Sequence, residues 1–293
     1  MWKLNKKIKI LDYRFKKNLW ADLLGLYKTK FLGQWMEFAE LREYVYGDPI
    51  KHVDWKATAK TWSLKTRIYE QERDLNVLFL IDVDENMNFK SETKSKKTLA
   101  QEIFYSLAFS AISNNDNIWA LFYNKTWVWD FINFKKHISQ IYRIIELWDE
   151  NKFNIRKNNF DYTLSAFKEI SNLKLKRNLI FVLTADTEIK NNNLLKLVWE
   201  SSEIIYINIF DYFENNLNFS STTFDKFLVK LGWIQDYLMI NLDNKGKIRK
   251  YRNLRNKKLE DYKNFLQKNW ADYLKIDTSE SPYSKLLEFF SKR

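Results

Sequence analysis

Apolar positions in this chain gather into short continuous runs, with stretches of helical spacing between them. "NVLFLID", residues 76–82, is apolar without alternation, the pattern of a strand covered on both faces. "SKKTLAQEIFYSLAFSAISNN" then places Leu99, Ile103, Leu107 and Ala111 on one helical stripe. It ends on Asn-Asn, residues that tolerate a left-handed cap. The alternation continues with strands at "NIWALFYN" and "WVWDFIN", and helices at "KHISQIYRIIELW" and "YTLSAFKEISNL". "RNLIFVLTAD" is a second deeply buried strand, "NNLLKLVWES" a helix and "EIIYINIFD" a third core strand. "YLMINLD" is expected to close an edge, and residues 254–293 to form terminal helices packing back on the domain. Strand and helix in such alternation predict an α/β fold with a doubly wound, mainly parallel sheet.

Residues 1–74 mix polar and aromatic positions without a clean period, which predicts a helical and extended appendage. The expected organisation is therefore an appendage over 1–74, the sheet domain over 75–245, and a basic segment with C-terminal helices over 246–293. No apolar run is long enough to cross a bilayer. The basic start lacks the continuous apolar stretch of a signal peptide, so the expectation is a cytoplasmic protein.

Composition removes several kinds of chemistry. Cys is absent, which excludes disulfides, thiolate zinc sites and cysteine nucleophiles, and His52 and His137 are the only imidazoles. The net charge of +12 raises a polyanion hypothesis, with the densest basic patch over residues 245–268. Lys and Asn are abundant throughout, however, and charge alone does not make a binding fold.

One stretch does carry candidate chemistry. The buried run over 76–82 stops at Asp82, and Asp84 and Asn86 follow at every second residue. As a calcium loop the segment fails: the sixth and twelfth positions from Asp82 are Met87 and Thr93, not Gly and Glu. In an open parallel sheet, though, ligands collect outside the carboxyl ends of strands where strand order reverses. If the strands ending at Asp82 and Asp186 flank that point, then Asp82, Asp84, Asn86 and Asp186 converge there, and Thr163 could add a hydroxyl. Such all-oxygen ligands suit Mg²⁺, Mn²⁺ or Ca²⁺. The competing reading is that these residues only terminate strands and cap helices.

"GQWMEFAELREYVYGDPIKHVDWKATAKT", residues 33–61, adds a specific signal. It resembles the domain-of-unknown-function 58 family, whose members carry G-x-G-x-E-F-x-x-x-R-x-Y-x-x-G-D-x-x-x-x-I-D-W-x-x-x-A-R-T ahead of a von Willebrand factor A-like domain. Glu37, Phe38, Arg42, Tyr44, Gly47, Asp48, Asp54 and Trp55 match that pattern. Their chemistry favours bracing over binding: Gly47-Asp48-Pro49 reads as a turn, Asp54 as a helix cap, and Arg42 as a partner for Asp48 or Asp54.

The resemblance implies a von Willebrand factor A type of sheet and a metal-ion-dependent adhesion site of the form D-x-S-x-S with a later Thr and Asp. In this chain that site would be Asp82, Asp84, Asn86, Thr163 and Asp186, with both serines replaced, and its ion Mg²⁺ or Mn²⁺. It further implies a non-enzymatic adaptor, working with a MoxR-type AAA+ ATPase to assemble, remodel or load metal into a client protein. RNA binding through 245–268 is the alternative. An enzyme ranks last, because no nucleophile with its base stands near the carboxylates.

Alignment with the family pattern also places Trp35, Trp62, Trp119 and Trp270 at glycine positions, whereas Trp55 is a family tryptophan. The chain has 12 Trp against 5 Gly, where glycine ordinarily makes up about 7% of residues. One explanation is a gene that reads UGA as Gly, translated here with UGA as Trp. The rival is divergence with compensating packing.

Overall fold

A computed structural model describes residues 37–70, 75–90, 94–124, 127–150, 155–157, 170, 178–185, 202–212, 226–230, 237–241, 245–269 and 271–292. The helices expected at 162–173 and 192–201 lie outside these residues, apart from Ile170.

Among the described residues the central sheet has seven strands: β3 (Asn76–Asp82), β4 (Asn117–Tyr123), β5 (Trp127–Lys135), β6 (Ile155–Lys157), β7 (Asn178–Thr184), β8 (Ser202–Phe210) and β11 (Asp272–Asp277). Their order is β11-β8-β7-β3-β4-β5-β6. The pairs β3–β4, β3–β7, β7–β8 and β8–β11 are parallel, and β4–β5 and β5–β6 are antiparallel. This is the mainly parallel α/β sheet that the alternating pattern predicts. Before it come β1 (Glu37–Glu43) and β2 (Lys65–Glu70), an antiparallel pair, with the short helix α1 (Trp55–Thr61) between them.

Successive side chains of β3 point to opposite faces, and both faces are covered. Val77, Phe79 and Ile81 join a core with α2 (Lys96–Ser113), α3 (Ser139–Glu150) and α5 (Pro282–Lys292). There the Phe79 ring stacks on Phe181, 5.4 Å between centres, and meets Phe104 edge-on at 4.8 Å. Leu78 and Leu80 join a second core with Trp119, Ile170, and Tyr262 and Leu266 of α4 (Lys245–Lys268). An apolar run without alternation is what a strand between two such layers needs.

Helix α2 starts on Ser95, whose hydroxyl accepts the Thr98 N–H at 3.1 Å. It ends in a Schellman arrangement: Asn115 has φ +66°, its N–H reaches Ile112 O, and the Asp116 N–H reaches Ala111 O. The Asn-Asn pair thus terminates the helix by the expected mechanism.

Two expectations need correction. "YLMIN" does not close the main sheet; β10 (Tyr237–Asn241) pairs with β9 (Lys226–Lys230) in a separate two-stranded sheet. The C-terminal region is not only helical either. Its Asp272–Asp277 segment is β11, an edge strand parallel to β8, so the last part of the chain is woven into the sheet domain.

Candidate functional site

From β3 the chain passes through α2 to β4 on one side, then returns at β7 on the other, so strand order reverses between β3 and β7. The strand ends around Asp82 and Thr184 therefore flank the expected switch point. Asp82 is 4% exposed and lies one residue past the Ile81–Leu183 pair. Its Oδ2 accepts the Thr184 hydroxyl at 2.8 Å and the Ala185 N–H at 3.4 Å. Its Oδ1 accepts the Asp84 N–H at 2.9 Å. The carboxylate thus pins two adjacent strand ends and turns its own loop. Asp186 and Thr163 lie outside the described residues.

Asp84 opens a 3₁₀ turn over Glu85–Asn88. The Asn86 Oδ1, third in the acidic element, accepts from Lys96 Nζ at 3.2 Å. Lys96 is 1% exposed at the first position of α2. Its Nζ also sits 5.6 Å from the centre of the Phe89 ring, and its backbone N–H donates to Phe89 O at 3.1 Å. Neither Lys96 nor Thr184 was singled out from the sequence. Lys96 did leave a signal there, since a cation directly after an N-cap opposes the helix dipole.

These residues fit a divalent ion poorly. An Mg²⁺ bound to Asn86 Oδ1 at about 2.1 Å lies within about 5 Å of the ammonium, a repulsion of about 6 kcal/mol at an effective dielectric of 20. Both Asp82 oxygens already accept protein hydrogen bonds. Among the described residues, no three carboxylates or imidazoles come together in a metal-holding group.

The family-motif residues form a braced module. Phe38 and Glu37 lie on β1 opposite Tyr69 and Glu70. The Tyr44 N–H reaches Leu64 O at 2.8 Å. Gly47 has φ +105°, which an L side chain resists. Beside it Asp48 accepts from Arg42 Nη2 at 2.7 Å and from the Val45 N–H at 3.0 Å. Asp54 caps α1 by accepting the Lys56 and Ala57 N–H groups and pairs with Arg67 at 2.9 Å, so Arg42 takes Asp48 and Arg67 takes Asp54.

The Val45 N–H, with Arg42, holds the Asp48 carboxyl below its ordinary 3.8, and Arg67 with the Ala57 N–H does the same for Asp54. A depressed carboxyl stabilises the fold fully above the ordinary pKa, and that contribution fades as pH falls through the lower folded value. Thermal melts at about pH 5 and about pH 3 are therefore expected to differ less for Asp48→Asn/Asp54→Asn than for the wild type. Equal differences in both would show that these contacts carry no pH-dependent stability.

The motif's ionic residues pair with one another, and many of its apolar side chains face out. Among the described residues nine large hydrophobic side chains are exposed, and seven of them lie within 41–64: Leu41, Val45, Tyr46, Ile50, Trp55, Trp62 and Leu64. Trp55 is 64% exposed, Tyr46 99% and Trp62 95%.

The basic segment is one helix, α4, that packs Tyr251, Tyr262 and Leu266 inward. Of its arginines 249, 252 and 255, only Arg249 is exposed. Arg255 donates to the Tyr251 hydroxyl at 3.0 Å and lies 5.3 Å over the Phe210 ring. Arg252 lines an open cleft of about 650 Å³ beside β11, with Lys275, Asp277, Glu280 and Lys285. Arg255 is thus turned to the domain, whereas Arg252 faces the cleft.

The Trp62 backbone is left-handed, φ 55° and ψ 15°, at the C-cap of α1. Trp119 is 4% exposed within β4. Trp35 and Trp270 lie outside the described residues.

Fold and lip together define a doubly wound, mainly parallel α/β domain, as the von Willebrand factor A resemblance implied. The chain belongs to the protein family of unknown function DUF58, whose family model matches residues 40–223. Three solved structures are similar at low identity. The conserved hypothetical protein BatB from Bacteroides thetaiotaomicron is 12% identical, with a TM-score of 0.41 over 74% of this chain and 98% of that one. An aerotolerance-related membrane protein from Bacteroides fragilis is 11% identical, with a TM-score of 0.42 over 75% and 100%. The SpRpn10 VWA domain is 13% identical, with a TM-score of 0.36 over 73% and 94%. No curated protein matches the chain. No helix among the described residues is long and apolar enough to cross a membrane.

Proposed function

We propose that this chain is a non-enzymatic adaptor that works with a MoxR-type AAA+ ATPase to assemble, remodel or load metal into a client protein. The observation that carries the reading is the outward-facing apolar surface of the family-motif module. Monomeric proteins rarely leave large side chains so concentrated on one small element unless a partner covers them. Interfaces also draw disproportionately on Trp and Tyr, which supply large contact area at low entropy cost. The module's ion pairs and caps hold its backbone in place, so Tyr46 and Trp55 are presented on a fixed frame. The lip of the sheet, by contrast, spends its carboxylate on holding strands together.

The test is co-purification with the product of a neighbouring MoxR-type gene. Tyr46→Ala/Trp55→Ala is expected to lower capture at least tenfold, since central aromatic contacts commonly contribute about 2 kcal/mol or more. Circular dichroism should remain unchanged. Equal capture by the variant, or no capture by the wild type, removes the proposal. Polyanion binding through 245–268 is the weaker reading, because Arg255 is engaged by the Tyr251 hydroxyl and the Phe210 ring.

A coding proposal stands beside it: the tryptophans at family glycine positions, Trp35, Trp62, Trp119 and Trp270, are glycines in the source organism, encoded by UGA, an assignment that the left-handed backbone of Trp62 supports and the buried indole of Trp119 opposes. UGG at these positions and at Trp55 alike would end that proposal.

A further inference from the structure

We infer that the loop after β3 takes no divalent ion and that the Lys96 ammonium is its built-in cation. Long charged side chains are almost never fully buried unless something compensates them. Lys96 is buried nonetheless, and at a helix start, where the backbone dipole already disfavours positive charge. Its placement is fixed from three directions. The backbone N–H holds Phe89 O at 3.1 Å, the Nζ holds Asn86 Oδ1 at 3.2 Å, and the Phe89 ring lies under the charge at 5.6 Å. The Asn86 contact falls within the Asp82–Asn86 stretch, and both Phe89 contacts fall at the C-cap of the 3₁₀ turn that follows it.

The ammonium therefore lies against the loop that carries Asp82, Asp84 and Asn86, and it occupies the Asn86 oxygen that a divalent ion would need. The substitution changes what the lip can do. A divalent ion at an adhesion site keeps a coordination position for an incoming carboxylate. An ammonium seated on Asn86 Oδ1 offers none, so acidic partners are not recruited here through a shared ion. The inference is independent of the adaptor reading and of any particular partner.

The experiment uses the full chain, stripped with EDTA and titrated with Mn²⁺ while the free ion is followed by electron paramagnetic resonance. Wild type is expected to leave Mn²⁺ free up to about millimolar concentration, and neither Mg²⁺ nor EDTA should move its melting temperature. Lys96→Met should melt at least about 5 °C lower than wild type, and Lys96→Arg, which keeps the charge, should recover most of that loss. Stoichiometric Mn²⁺ binding by wild type that disappears in Asp82→Asn would overturn the inference. So would a Lys96→Met variant as stable as wild type. If Lys96→Met does not fold, that is the extreme of the expected loss, and the wild-type titration still decides whether the site takes an ion.

Discussion

Replacing Asp82 by alanine is expected to lower the stability of the domain by about 4 kcal/mol, with or without Mg²⁺. The carboxylate is buried at the end of the central strand and accepts from the Thr184 hydroxyl and from the Ala185 and Asp84 N–H groups. A hydrogen bond to a charged acceptor is worth about 1.5–3 kcal/mol, and a buried donor left without a partner costs about 1–3 kcal/mol. One gain opposes these losses. Removing the Asp82 charge relieves its repulsion with Asp84, but Asp84 is only half-buried and partly screened by water. The lost bonds therefore win.

Asp82→Asn keeps one acceptor oxygen but turns an NH₂ group toward donors, so an intermediate loss of about 2 kcal/mol is expected. Urea unfolding followed by circular dichroism measures both. A loss below about 1 kcal/mol for the alanine variant would mean that water replaces the carboxylate, and that this residue does not join β3 to β7.

The importance of Asp82 was legible because a run buried on both faces stops at it abruptly. The core strands β3, β4, β7 and β8 were legible for the same reason: a strand between two layers cannot alternate. What escaped were residues whose surroundings come from distant segments. Thr184 reads as an ordinary strand residue, and only pairing of β7 with β3 brings its hydroxyl to Asp82. In β11, Lys275 is exposed while Leu274 and Ile276 are buried, the alternation of an edge strand, so "DYLKID" lacks the continuous apolar signature. "YLMIN" has that signature yet, among the described strands, pairs only with β9. Helix α2 showed one apolar stripe. It is in fact buried nearly all round, because Gln101, Glu102, Ser106 and Ser110 are covered as well. Glu102 is matched by Lys94 at 2.8 Å and the Ser106 hydroxyl bonds to Glu102 O, so polar residues inside the core hid its depth.

The tryptophans at glycine positions yield a paired experiment with opposite expected signs. Trp62 holds φ 55° at the end of α1, and its side chain is almost fully exposed, so it gains little packing. A left-handed conformation costs a residue with a Cβ about 1–2 kcal/mol, partly offset by the greater freedom of glycine in the unfolded chain. Trp62→Gly is thus expected to stabilise by about 0.5–1 kcal/mol. Trp119 is the reverse case. It lies opposite Leu78 in the β3–β4 register and packs in the core with Leu80, Leu121, Tyr206 and Tyr262. Trp119→Gly removes that side chain, at about 3–5 kcal/mol for the cavity, and adds about 0.5–1 kcal/mol for glycine within a strand. Chemical denaturation of both variants reads the two signs directly. A stable Trp119→Gly protein would mean the core closes without the indole, as a UGA-encoded glycine requires. The expected loss would confine the glycine proposal, among these two positions, to the left-handed turn at 62, and destabilisation by Trp62→Gly would remove it there as well.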